Sequence, residues 1–219
     1  MDIKMRSRGI IKWVIAFGIF TALAVKGAFN GIDLVLTKTI SMYANPVSDM
    51  IFLPIRVLGD TVVTILLVSA IAIYLSFFVI AGKRHRALAL FMAVTFALLL
   101  AAGQGLKTVI RKERPPLVFY RGMVKDKAHM AKSFSYPSGH SLRATFLFFV
   151  LAMLVNRSRL AEKGKAALRW ACYGAIILIG FSSIYLGAHW LSDVMAGSIL
   201  GYIFFLSLRA TEGSEAIPF

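Results

Sequence analysis

Three short polar clusters interrupt an otherwise apolar chain, and each holds residue types that can grip an anion or move a proton. The first is Lys107-Thr-Val-Ile-Arg-Lys-Glu-Arg114-Pro115. Lys107 and Arg114 are seven residues apart, so one continuous helix would stack them on a single face. Pro115 and Pro116 would then end that helix. An arginine fork beside a lysine point charge suits an oxyanion with several oxygens. The second cluster is Ser135-Tyr-Pro137-Ser138-Gly139-His140, at the entrance to an apolar run. A helix that starts there aims free N–H groups and the Ser138 hydroxyl outward, which makes an anion site with His140 beside it as a candidate acid. The third is Ser182-Ser183-Ile-Tyr-Leu-Gly187-Ala-His189-Trp-Leu-Ser-Asp193. His189 and Asp193 are four apart and share a helix face. A carboxylate behind an imidazole fixes its tautomer and makes the opposite nitrogen the better nucleophile. Taken alone, each cluster also has a plain structural reading: a snorkelling basic flank, an N-cap with an interfacial histidine, and a polar pair that locks two helices.

The elements that must position these residues are membrane helices. Of the 219 residues, 58% are hydrophobic, against roughly 45–50% in soluble domains. The excess lies in runs near the length of roughly 20 residues that crosses a bilayer. We expect one domain, an all-α bundle of six transmembrane helices with spans at about 10–25, 61–80, 87–106, 141–155, 170–186 and 190–208. The first run lacks a small-residue cleavage site, so it reads as a retained anchor, with Lys12 snorkelling. Residues 26–58 read as a surface segment with one or two interfacial helices.

The net charge of +15 does not point to nucleic acid, because the basic residues sit in short segments between apolar runs. Lys4, Arg6 and Arg8, the turn at 82–86, and Arg157 to Arg169 fall on one side, which the positive-inside rule makes cytoplasmic. Both termini are then cytoplasmic, and the three clusters converge on the outer face of a plasma membrane, bacterial by this reading. His85 belongs to that basic turn. His129 is expected to be solvated. Arg111, Lys112, Arg121, Lys125, Lys127 and Lys132 are expected to attract an anionic head group. Trp13, Trp170 and Trp190 fall at predicted interfaces. The single cysteine, Cys172, reads as a packing residue.

The three clusters together resemble the type 2 phosphatidic acid phosphatase superfamily, which is related to vanadium haloperoxidases and bacterial acid phosphatases. Its signature is Lys-x6-Arg-Pro, then Pro-Ser-Gly-His, then Ser-Arg-x5-His-x3-Asp. The chain matches from Lys107 to Pro115, from Pro137 to His140, and from Ser182 to Asp193 apart from one position. The resemblance implies a phosphatase that needs neither metal nor cofactor and works through a phosphohistidine. His189 would attack phosphorus, Asp193 would orient it, and His140 would protonate the leaving oxygen and later activate water. Lys107, Arg114, Ser138 and the Gly139 N–H would hold the phosphoryl oxygens. The departure is Ser183, where the family has arginine. Arg143, three residues after His140, is expected to supply that charge, the alternative being a partner at Asp60 or an outer carbonyl.

The expected substrate is a lipid phosphate or pyrophosphate among membrane lipids. Candidates by family analogy are undecaprenyl pyrophosphate, phosphatidylglycerol phosphate, phosphatidic acid and lipid A phosphates. A lipid phosphotransferase would use the same site, and a non-catalytic membrane protein would need the three clusters to be unrelated. Monomer and dimer both suit a chain with a basic inner face and no soluble domain.

Overall fold

The computed structural model describes residues 3–77, 83–123 and 126–211, without the side chains of residues 3–7, 83–85 and 129. Readings that rest on Lys4, Arg6, the basic turn as far as His85, Lys125, the His129 ring and the end of the tail fall outside the described residues. Within them, apolar run length predicted the long helices well. They are α1 (Ile3–Val25), α4 (Thr61–Phe77), α5 (Lys83–Ile110), α7 (Gly139–Arg157), α8 (Glu162–Tyr185) and α9 (Leu191–Thr211). Shorter helices lie between them: α2 (Asn30–Tyr43), α3 (Pro46–Val57) and α6 (Lys127–Lys132), with a 3-10 turn at Leu117–Phe119. Five of the long helices are apolar and long enough to cross a bilayer by themselves. Helices α3 and α4, which meet at a bend of 46°, pass the same test only when taken together, and as one span they make six.

Local chemistry explains the ends of these helices. Asn45 caps α3 by accepting the Ser48 N–H at 3.0 Å, and Pro46 occupies the first helical position, where its missing N–H costs nothing. Asp60 caps α4, accepting the Val62 N–H at 2.9 Å. The α8 C-terminus closes in a Schellman motif. The Ala188 N–H reaches the Ser183 carbonyl at 3.1 Å, and the Gly187 N–H reaches Ile184 at 2.9 Å. Gly187 has φ +63°, and a Cβ there would collide with the Phe119 carbonyl, so only glycine fits.

Helix α7 is the centre of the bundle, packed by α4, α5, α8 and α9. Its Leu142, Phe146, Leu147 and Val150 meet Met92, Phe96 and Leu99 of α5 and Leu200, Phe205 and Leu208 of α9. The outer faces are apolar too: Ile11, Ile15 and Ile19 of α1, Val62 and Leu66 of α4, and Leu90, Val94 and Leu98 of α5 are exposed. Contiguous apolar bands of that kind suit lipid as solvent. Helix α9 approaches α7 through a small-residue pair, Gly197 and Gly201. A Cβ at Gly197 would strike the Ser138 carbonyl, and one at Gly201 the Leu142 carbonyl. That close approach sets the start of α9 against the start of α7, which are the two ends that carry His189 and His140.

Candidate active site

A cavity of about 310 Å³ opens at the end of the bundle where α4, α7 and α9 start and α3, α5 and α8 finish. It is lined by Lys107, Arg114, Gly139, His140, Arg143 and His189, drawn from all three clusters, together with Arg56, Asp60 and Asp126. Ser138 and Asp193 lie beneath the wall, both fully buried. Ser138 Oγ caps α7, accepting from the Ser141 N–H at 3.4 Å and lying 3.1 Å from Ser141 Oγ. Of this pair it is Gly139 that forms the cavity wall.

The pairing of Lys107 with Arg114 is real, but it does not come from a shared helix. Helix α5 stops at Ile110, Arg111 turns left-handed with φ 53°, and Arg114 lies in the irregular loop that follows. The Pro115 ring disfavours helix at Arg114, and here the helix has already ended at Ile110, four residues before it. The loop folds back instead. Arg114 Nε donates to Ser133 Oγ at 2.9 Å, and Nη1 donates to the Ala188 carbonyl at 2.6 Å. Lys107 Nζ donates to the carbonyls of Phe134 and Ser135 at 3.0 and 3.3 Å.

His189 presents different surroundings to its two ring nitrogens. Nε2 lies 3.3 Å from Arg114 Nη1, while Nδ1 lies 3.7 Å from Asp193 Oδ2. Burial, then the cations Arg114, Lys107 and Arg56, hold the imidazole well below the ordinary histidine range. It is therefore neutral at pH 7, the state a nucleophile requires. Burial also lowers Arg114, to about 10, so it remains charged. Asp193 is positioned twice over. Its Oδ2 accepts the Trp190 N–H at 2.9 Å, half of a capping box on α9, and its Oδ1 pairs with Lys112 Nζ at 3.2 Å.

Lys112 is not available to a head group, contrary to its sequence reading. It bridges Asp193 to Asp33 of α2, where Nζ sits 3.0 Å from Oδ2, and it donates to Ser192 Oγ at 2.6 Å. Asp33 also takes the Ser192 N–H at 2.9 Å. Arg121 is likewise occupied, with Nε and Nη2 on the two Asp49 oxygens at 2.8 and 2.6 Å, which ties the loop to α3. Arg143 sits on the cavity wall with Nε and Nη2 on the Gly59 carbonyl at 3.0 and 2.8 Å, and its Nη1 is directed at Gly139. Its hydrogen bonds follow the alternative reading, a carbonyl partner, while the residue itself lines the cavity that holds His189. Ser183 is fully buried, and its hydroxyl bonds back to the Ile179 carbonyl at 3.1 Å.

Sequence reasoning missed Arg56, Asp33 and Ser192. For Arg56 a signal existed: a lone cation in the apolar stretch Ile51-Phe-Leu-Pro-Ile-Arg-Val demands a polar destination. Asp33 and Ser192 had none, because their pairing joins residues 159 apart.

Known proteins resemble this chain in sequence and in fold. Over 81 residues the chain is 35% identical to phosphatidylglycerophosphatase B of Bacillus subtilis, covering 36% of this chain and 40% of that one. Over 132 residues it is 29% identical to an undecaprenyl-diphosphatase of Sulfolobus acidocaldarius, covering 58% and 57%. The match to these curated relatives thus spans about half of their length or less. The fold superposes on a crystal structure of a transmembrane PAP2-type phosphatidylglycerolphosphate phosphatase from Bacillus subtilis. The TM-score is 0.78 at 25% identity, over 91% of this chain and 94% of that one. Residues 86–213, which hold all three clusters, match the PAP2 superfamily profile, and the chain belongs to that superfamily.

Proposed function

We propose that this chain is an integral membrane phosphatase that hydrolyses a lipid phosphate or pyrophosphate through a phosphohistidine on His189, without a metal. The observation that carries the reading is the two-sided environment of His189, which lines the cavity: Nε2 lies 3.3 Å from Arg114 Nη1, and Nδ1 lies 3.7 Å from Asp193 Oδ2. A phosphoryl group at Nε2 has its oxygens within reach of Arg114, Lys107 and the Gly139 N–H, where negative charge grows in the transition state. The Nε2 lone pair forms the N–P bond as the P–O bond to the leaving group breaks. His140 gives its proton to the departing oxygen, then takes one from the water that cleaves N–P and frees phosphate. Asp193 stabilises the positive charge that the ring acquires.

A lipid substrate is supported by a second cavity of about 250 Å³. It shares Thr61, Gln104, Lys107, Gly139 and Arg143 with the first and continues to Leu100, Gly103 and Leu142 between α4, α5 and α7. A head group at His189 can leave its tail on that apolar side. The named relatives act on phosphatidylglycerophosphate and undecaprenyl diphosphate, and an isoprenoid diphosphate or a phospholipid monophosphate is the substrate class we assign. We also assign the site to the outer face of a bacterial plasma membrane, on the basic loops at the opposite end.

The test is phosphate release from a panel of lipid phosphates by the purified chain, without added metal. His189→Ala should abolish it. Rapid quench of the wild type should trap an acid-labile, alkali-stable phosphoenzyme. Undiminished release by His189→Ala refutes the nucleophile, and a phosphorylated lipid product in place of free phosphate makes the chain a transferase.

A further inference from the structure

The three cations expected from the sequence have much of their hydrogen-bonding capacity tied up in holding their own places. Arg114 uses Nε and Nη1 on Ser133 and Ala188. Lys107 uses Nζ on two carbonyls, and Arg143 uses Nε and Nη2 on Gly59. Arg56 differs. It lines the same cavity as His189 and His140, yet its buried Nε has no hydrogen-bond partner. Tyr120 lies beside it, with its buried Oη against the Arg56 guanidinium. A buried donor left unpaired costs about 1–3 kcal/mol, and more when it is charged. An unpaired guanidinium N–H at the edge of a cationic cavity is a donor that an oxyanion oxygen would satisfy.

The fold explains how Arg56 comes to be there. It is in the last turn of α3, which packs on α8. Phe52, one turn earlier, packs against Tyr185 at a tilt and edge-on against Phe181, at ring distances of 4.4 and 5.2 Å. Tyr185 Oη donates to Asp49 Oδ1 at 2.9 Å. Beyond Val57 the chain bends by 46° into α4. A Cβ at Gly59 would press on the His140 backbone, so the bend sits against the start of α7. The side chain of Arg56 is thereby carried into the cavity from a segment that matches none of the three clusters.

We propose that Arg56 is a catalytic residue that binds an oxygen of the phosphoryl group transferred to His189, with Tyr120 as the residue that positions its guanidinium. This rests on the phosphatase reading above. The planar fork meets a tetrahedral or trigonal oxyanion through two N–H groups, which a lysine ammonium cannot reproduce. Its charge already reaches His189 alongside those of Arg114 and Lys107.

The experiment uses the full chain in detergent micelles, a long-chain alkyl phosphate as substrate, and orthovanadate as the inhibitor that mimics the five-coordinate phosphorus. Loss of one such donor costs about 10²–10³ in rate. Arg56→Gln should therefore lower kcat/KM by roughly that factor and raise the vanadate inhibition constant in parallel. Arg56→Lys keeps the charge and should still fall at least tenfold. Tyr120→Phe should lower kcat less than Arg56→Gln does. If Arg56→Gln unfolds, Arg56→Lys decides alone. Values within threefold of wild type for both kcat/KM and vanadate overturn the proposal, as does a loss of thermal stability with kinetics unchanged. If His189→Ala abolishes turnover while the Arg56 variants behave as wild type, only the role of Arg56 falls. If the wild type neither turns over nor binds vanadate, the phosphatase reading falls and takes this proposal with it.

Discussion

Lys112→Met removes the ammonium that two buried carboxylates share. Asp33 is 3% exposed and Asp193 0%, and Lys112 Nζ lies 3.0 and 3.2 Å from their oxygens. The remaining partners are neutral: the Ser192 N–H and hydroxyl on Asp33, and the Trp190 N–H on Asp193. At an effective dielectric of about 20, each contact supplies roughly 5 kcal/mol of attraction, which mainly offsets the cost of desolvating three charges. Removing one partner of such a buried group costs about 3–5 kcal/mol, because Asp33 is left with neutral partners and Asp193 with only Lys107 and Arg114, both beyond ion-pair distance. In a chain of this size that is an apparent Tm lower by roughly 10 °C. Lys112→Met/Asp33→Asn removes one uncompensated charge and keeps an acceptor for the Ser192 N–H, so it should regain about 1–2 kcal/mol of the loss. Thermal unfolding of the purified variants, followed by intrinsic tryptophan fluorescence, reads both numbers. A Lys112→Met shift under about 2 °C, or a double variant less stable than the single one, would show that the network is incidental.

Arg114→Gln takes a cation from 3.3 Å beside His189 Nε2. Cations disfavour imidazolium, so its removal lets the His189 pKa rise, and the acid limb of kcat/KM against pH should move to higher pH while the rate falls. Both profiles use one substrate, whose own ionisation cancels, and an unmoved limb contradicts the assignment of His189. The same burial makes a stability prediction: the folded-state pKa is below the unfolded value of about 6.5, so His189 contributes fully above that pH and less as pH falls below it. Gly201→Ala places a Cβ against the Leu142 carbonyl. It should cost about 1–3 kcal/mol in the same thermal scan, and a neutral result would mean that α9 can slide on α7.

The chain's own pattern determined a good deal. Apolar run length determined the long helices, because a segment in lipid must satisfy its backbone internally and a helix is the local way to do so. Ser138 marked the start of α7 through chemistry that acts over a few residues. The spacing of His189 and Asp193 brought the two together, but not on a shared helix face: His189 lies in the turn before α9 begins at Leu191. Where the chain leaves helix, spacing stopped being informative. Arg114 joins Lys107 through a loop that turns at Arg111, Lys112 finds Asp33 across 79 residues, and Arg56 enters the cavity because α3 bends against α8 and α7. Those placements depend on which long-range partner satisfies a buried charge. Only the packed bundle decides that, since it alone determines which charges lose their water and which groups are near enough to replace it.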